Sequence, residues 1–144
     1  MADVRDSVVK IVATVYRDLV LVTNGQIGGR LAGMEALLLT TTGRKTGEKR
    51  EVVLSAPIFE DDQVVLVASW GGAPHHPNWF LNLKADPHVQ VFHRGDTTDM
   101  VAREAEGHER DELWARAIAV YPNYVDYQAK TTRRLPVVVL NARS

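Results

Sequence analysis

The chain has 144 residues, with 17 Lys and Arg against 18 Asp and Glu, a formal net charge of −1, 45% hydrophobic residues and no cysteine. That size and balance suit one globular domain able to bury about 70% of the surface its unfolded chain exposes. Near-neutrality excludes general coating of nucleic acid or membrane, and the lack of cysteine excludes disulfides, thiolate nucleophiles, iron–sulfur clusters and Cys-based zinc sites.

Val4, Val8, Val12, Val15, Leu19 and Val22 recur at helical spacing and predict an amphipathic helix over 4–23. Such a helix can cap the domain, meet a second copy in a homodimer or lie on a membrane surface. Asp3, Asp6, Lys10, Arg17 and Asp18 interrupt any apolar signal core, and no run reaches the ~18–20 apolar residues of a membrane span. The expected location is the cytoplasm, with peripheral membrane contact through this helix as an option. Thr23–Gly33 holds four glycines and reads as a linker, which divides the chain into an N-terminal helix and linker (1–33) and a main domain (34–144).

From Ala36 the pattern changes to strands. Ala36–Thr42 and Arg50–Phe59 are rich in Val, Leu and Thr and flank a basic turn, and Val64–Ser69 is a third strand after the turn Glu60–Gln63. A short helix at Pro77–Lys84 has proline where a missing N–H costs nothing, and Asp86-Pro87 stops it. Strands follow at Val89–His93 and Thr97–Glu104, then a helix at Glu109–Val120, a helical or turn segment at Tyr121–Thr132 and a closing strand at Pro136–Leu140. About six strands with few intervening helices imply an α+β architecture built on a small antiparallel barrel.

Three stretches carry candidate chemistry. In the turn Gly43-Arg44-Lys45-Thr46-Gly47, together with Lys49 and Arg50, four cations fall within seven residues. Guanidinium forks, a lysine charge, the Thr46 hydroxyl and turn amides can grip a phosphate; equally, such a turn can be a hairpin with solvated charges. There is no P-loop spacing and no Gly-x-Gly-x-x-Gly fingerprint. The second stretch, Ala68-Ser69-Trp70-Gly71-Gly72 through Pro77-Asn78-Trp79, leaves a buried strand and enters a helix whose N-terminus can hold an anion. Ser69 can hydrogen-bond a substrate oxygen, and Trp79 can flank a flat ring or belong to the core. His75 and His76 are adjacent in a loop with no third ligand at a diagnostic spacing, so no metal is expected. The third is Tyr121, Tyr124 and Tyr127, whose spacing by three keeps them along one helical face, either as a pocket wall or as ordinary cover for the barrel.

In order along the chain, Leu38–Gly47 with Arg50, Ala68-Ser69 with Gly71-Gly72, Pro77, Trp79, Asn82–Ala85 with Pro87 and Val89, and the run Tyr121–Tyr127 resemble the deazaflavin-dependent nitroreductase family, of the quinone-reductase-like kind. The resemblance covers about residues 34–141. It implies a split β-barrel that binds coenzyme F420, a deazaflavin with a phosphate and an acidic polyglutamate tail, and passes hydride from C5 of the reduced ring to a quinone or nitroaromatic. Arg44, Lys45, Thr46, Gly47, Lys49 and Arg50 would take the phosphate and tail. Val52, Val53, Leu54, Ala68, Ser69, Trp70, Asn78, Trp79 and Asn82 would cradle the ring and its side chain. Ser69 and Tyr124 would hydrogen-bond the acceptor, with Tyr121 and Tyr127 shaping its pocket. Family members carry a proline and an aromatic where this chain has Val53, Leu54 and Ser55, a change that widens the pocket. The competing readings are a flavin mononucleotide enzyme of the same barrel type and a non-catalytic carrier; a nucleic-acid barrel is disfavoured by the single basic cluster.

Overall fold

The computed structural model describes residues 12–17 and 29–143. The ends of the expected 4–23 helix lie outside the described residues, while 12–17 are helical (α1). The elements that follow are β1 (Arg30–Leu31), β2 (Met34–Thr42), β3 (Lys49–Ala56), β4 (Ile58–Phe59), β5 (Gln63–Val67), a 3-10 turn (Trp70–Gly72), α2 (Asn78–Ala85), β6 (His88–His93), β7 (Asp96–Glu104), α3 (Gly107–Val120), α4 (Asn123–Ala129) and β8 (Val137–Ala142).

All strand pairs are antiparallel. The main path runs β2-β6-β7-β8-β5-β4, and β3 pairs with the other side of β2. The two ends of this path, β3 and β4, are consecutive in the chain. One bent strand therefore closes the sheet on itself, pairing with β2 before the bend (Leu38↔Val53, Glu35↔Ala56) and with β5 after it (Ile58↔Val65). Pro57 stands at the bend; it offers no ladder N–H, so pairing stops there and resumes with a new neighbour. The single strand expected over Arg50–Phe59 is thus two, and the barrel has more strands than the six expected. Arg30–Leu31, expected as linker, pairs with Met34 and Glu35 through a tight turn; a two-residue strand is too short to show periodicity.

Alternation along the strands builds the core. Leu37, Leu39, Val64, Leu66, Val89, Val91, Val138 and Leu140 point inward and meet Phe80 and Leu83 of α2, which plugs the barrel. Their neighbours point outward. Ala36, Leu38 and Phe92 pack under Ala13 and Tyr16 of α1, while Val65, Val137 and Val139 pack under Leu113 and Trp114 of α3. Covered on both faces, β2 and β8 are nearly continuous apolar runs.

Near the start of β2, Glu35 is held by Arg94 Nε at 2.9 Å and Nη2 at 3.1 Å and by His93 Nε2 at 3.0 Å. The Arg94 hydrogen bond, against partial desolvation, keeps the carboxyl below the usual glutamate range. A lowered folded pKa contributes stability above the unfolded value of ~4.3 and loses it as pH falls through the folded one. Glu35→Gln should therefore lower the urea midpoint at pH 7 by an amount worth about 1 kcal/mol or less, given its partial exposure. The gap to wild type should close in acid below the folded pKa; a gap of constant size across pH would assign the effect to packing.

Candidate active site

Before the bend, β3 pairs with β2 and has no ladder to β5, and a cleft of about 920 Å³ lies along it. Glu51–Ser55 of β3 form one side, and among the described residues the far edge of this strand has no strand partner. Val67, the last residue of β5, and Ser69 just beyond it also line the cleft. The basic turn, the start of α2 and the tyrosines also line it; the turn follows Thr42 at the end of β2, while Tyr124 reaches Met34 at the start of that strand. Every site residue singled out from the sequence lines this cleft except Gly47 and Ala68. Gly47 adopts φ +75° and its N–H closes the turn onto Gly43 O at 2.8 Å. Ala68 is fully buried, its N–H donating to Pro136 O and its carbonyl accepting from Arg133. Its backbone is spent inside the fold.

The basic turn is anchored to α2. The Arg44 amide and Nη1 both donate to Asn82 Oδ1, at 3.2 and 2.9 Å, and Nη2 donates to Asn78 Oδ1 at 3.4 Å. Asn82 is buried, and its Nδ2 donates to the buried Thr41 hydroxyl at 3.2 Å. Both polar ends of Asn82 are engaged, so it positions Arg44. Lys49 Nζ reaches Thr42 Oγ1 at 3.3 Å and Arg50 pairs with Glu48 at 3.5 Å. Lys45 has no side-chain partner among the described residues, and the Lys45 and Thr46 amides have no intramolecular acceptor there. A charge cluster fixed in place with unused donors is the arrangement a phosphate needs.

The glycine loop is held by a residue that sequence reasoning missed. Arg133 Nη1 donates to Ala68 O (3.0 Å), Nη2 to Ser69 O (2.7 Å) and Nε to Ala73 O (2.7 Å), and Nη1 also meets His76 Nδ1 at 3.0 Å. Desolvation, then the charge of Arg133, lowers the His76 pKa and keeps its Nδ1 free to accept. Trp70, Gly71 and Gly72 all have positive φ, at 43°, 63° and 83°. No local signal marks Arg133, because its partners are backbone carbonyls about sixty positions away.

The tyrosines do not share one helix face. Pro122 separates Tyr121, at the end of α3, from Tyr124 and Tyr127 on α4. Their rings still cluster, with centroids 4.9 to 6.3 Å apart. Tyr121 and Tyr127 pair hydroxyl to hydroxyl at 3.0 Å, and Asn123 Nδ2 donates to Tyr121 at 3.1 Å. Tyr124 is buried, its hydroxyl directed to Met34 Sδ at 3.6 Å, and burial pushes its pKa far above the ordinary phenol value. The hydrogen bond from Tyr121, then desolvation, raises that of Tyr127. Burial therefore disfavours ionisation of the Tyr124 hydroxyl.

Residues 9–142 match the model of the F420H(2)-dependent quinone reductase family. A relative from Mycobacterium tuberculosis (strain ATCC 25618 / H37Rv), named an F420H(2)-dependent quinone reductase, is 39% identical over 125 residues, covering 84% of this chain and 83% of that one. A solved F420-H2 dependent reductase is 44% identical with a TM-score of 0.66, covering 74% of this chain and 93% of its own. A second solved structure, described as a domain-swapped dimer, is 39% identical with a TM-score of 0.70 over 86% of this chain and 92% of its own.

Proposed function

The chain belongs to the F420H(2)-dependent quinone reductase family, and on that premise we propose a division of labour within the cleft. It is an F420-dependent oxidoreductase that takes hydride from the reduced deazaflavin and delivers it to a quinone-type acceptor. The observation that carries the assignment of sites is one cleft lined both by the basic turn after the end of β2 and by a tyrosine cluster that reaches Met34 at its start. Its volume of about 920 Å³ suits a large ligand, since small-molecule pockets run to roughly 1,000 Å³.

Arg44, Lys45, Thr46, Lys49 and Arg50 bind the phosphate and acidic tail, with Asn82 fixing the direction of Arg44. The unpaired edge of β3 at Val52–Leu54 offers main-chain groups to the ring, and Asn78 and Trp79 border its side chain. When bound, the reduced cofactor supplies hydride from C5 of its ring; the protein orients the acceptor and keeps water from the transfer. Ser69 and the Tyr121–Tyr127 hydroxyl pair hydrogen-bond the acceptor oxygens. A quinone gains one hydride and one proton to become a hydroquinone, and this pair relays the proton from solvent. Tyr124 supports the wall from beneath. Val53, Leu54 and Ser55 leave the β3 side of the cleft without an aromatic.

Fluorescence titration with deazaflavin and with flavin mononucleotide, followed by menadione added to the reduced complex, tests the reading. Deazaflavin should bind and menadione should reoxidise it. Tight binding of flavin mononucleotide alone would sink the assignment, and deazaflavin binding without turnover would make the chain a carrier. Two further features extend the reading. The relative described as a domain-swapped dimer supports a homodimer, which light scattering after gel filtration measures. Among the described residues no helix is long and apolar enough to cross a membrane. The half-exposed Val12 and Val15 of α1 support peripheral contact, which a liposome flotation assay measures.

A further inference from the structure

Trp70 is the most exposed large apolar residue among those described, at 53%. It also holds φ +43°, in the left-handed region that bulky side chains avoid. Neither feature serves folding: glycine at this position would relieve the backbone and remove an indole from water. The conformation is nonetheless enforced. Arg133 fixes the carbonyls on both sides of Trp70, at Ser69 and Ala73, while Gly72 is backed against the main chain of Tyr127. Strain that the surroundings impose so fully gathers at ligand-contacting positions. Trp70 lines the cleft, and the loop that carries it packs through Gly72 against the main chain of Tyr127 on α4.

We propose that Trp70 is the specificity-determining residue of the acceptor site. Its indole is the face on which a flat, electron-poor fused-ring acceptor stacks, favoring two-ring quinones over one-ring quinones. This rests on the reading of the cleft as a deazaflavin-dependent reductase site, and it moves Trp70 from the ring cradle that the family resemblance implies to the acceptor side. An electron-rich indole gains offset-stacking energy with an electron-poor ring and loses its exposed surface as the ring covers it. A single ring covers less of it and gains less.

Trp70→Gly and Trp70→Phe, made in the full chain, test the proposal with menadione and p-benzoquinone. For Trp70→Gly the KM for menadione should rise ~10-fold with kcat within ~3-fold, while the KM for p-benzoquinone moves less than ~2-fold. Trp70→Phe should recover part of the menadione KM. Two readouts need no turnover. Menadione should quench indole fluorescence in the oxidised-deazaflavin complex of wild type, and Trp70→Gly should remove most of that quenching. The Tm of Trp70→Gly should hold or rise, because the left-handed backbone no longer carries a large side chain. Equal losses for both quinones, no loss for either, or a matching loss of deazaflavin affinity would overturn the proposal. A wild-type chain that binds no deazaflavin would overturn the cofactor reading along with it, and is told apart because wild type and variants then fail alike.

Discussion

Replacing Arg44 and Lys45 together with alanine should weaken deazaflavin binding by about 30- to 1,000-fold. Two charge-assisted bonds contribute about 1.5–3 kcal/mol each, and both side chains are exposed, so the sum is reduced by screening. The loss should therefore shrink as salt is raised. The two residues differ in what else they do. Lys45 has no intramolecular side-chain partner among the described residues, so Lys45→Ala should act on binding and leave the Tm near wild type. Arg44→Ala removes a donor to Asn82, though the Arg44 amide still donates to the same oxygen. That variant should lose affinity and a smaller amount of stability. Fluorescence titration at two ionic strengths, beside thermal melts, separates these effects. An unchanged affinity in the double variant would place the phosphate elsewhere in the cleft.

The basic turn was legible because its parts are neighbours in sequence. Gly43, the cations and Gly47 lie within one hairpin, and Thr42↔Lys49 pairing at its base follows from the strands on either side. The apolar runs of β2, β5 and β8 were legible for the same reason, since burial on both faces is written into each run. What escaped depends on partners far along the chain. Arg133 looks like any surface cation in a polar stretch until residues 68–76 fold over it. Asn82 sits in a motif that suggests a ligand contact, and only its position beneath Arg44, 38 residues away, shows that it acts through another residue. Tyr124 carries the same phenol as its neighbours, yet Met34, 90 residues distant, receives its hydroxyl. The closure of the barrel hid in one proline: Pro57 falls within what the sequence alone reads as one strand, and its missing donor is what lets one segment serve two neighbours.

The packing of the glycine loop against α4 makes a second strong expectation. A Cβ at Gly72 would lie 2.5 Å from Tyr127 O and 3.0 Å from Tyr127 Cα, both main-chain atoms, and Gly72 holds φ +83°. Gly72→Ala must then either push α4 outward or pull the loop away from it, in addition to placing a side chain in the left-handed region. Overpacking of about 1–3 kcal/mol and backbone strain of about 1–2 kcal/mol together should cost about 2–5 kcal/mol of stability. The functional loss should be uneven. The loop carries Ser69 and Trp70, and α4 carries Tyr127, so the acceptor side of the cleft is what moves. The basic turn and β3 rest on β2, away from this contact, so deazaflavin affinity should change far less than kcat/KM for the quinone. Gly71→Ala is the matched control, because it has φ +63° but nothing within 4 Å of its Cβ. It should show the strain cost alone, with acceptor reduction largely kept. If both alanine variants lose turnover equally, backbone conformation governs the site; if only Gly72→Ala does, the close approach of loop and helix is what holds acceptor and tyrosines in register.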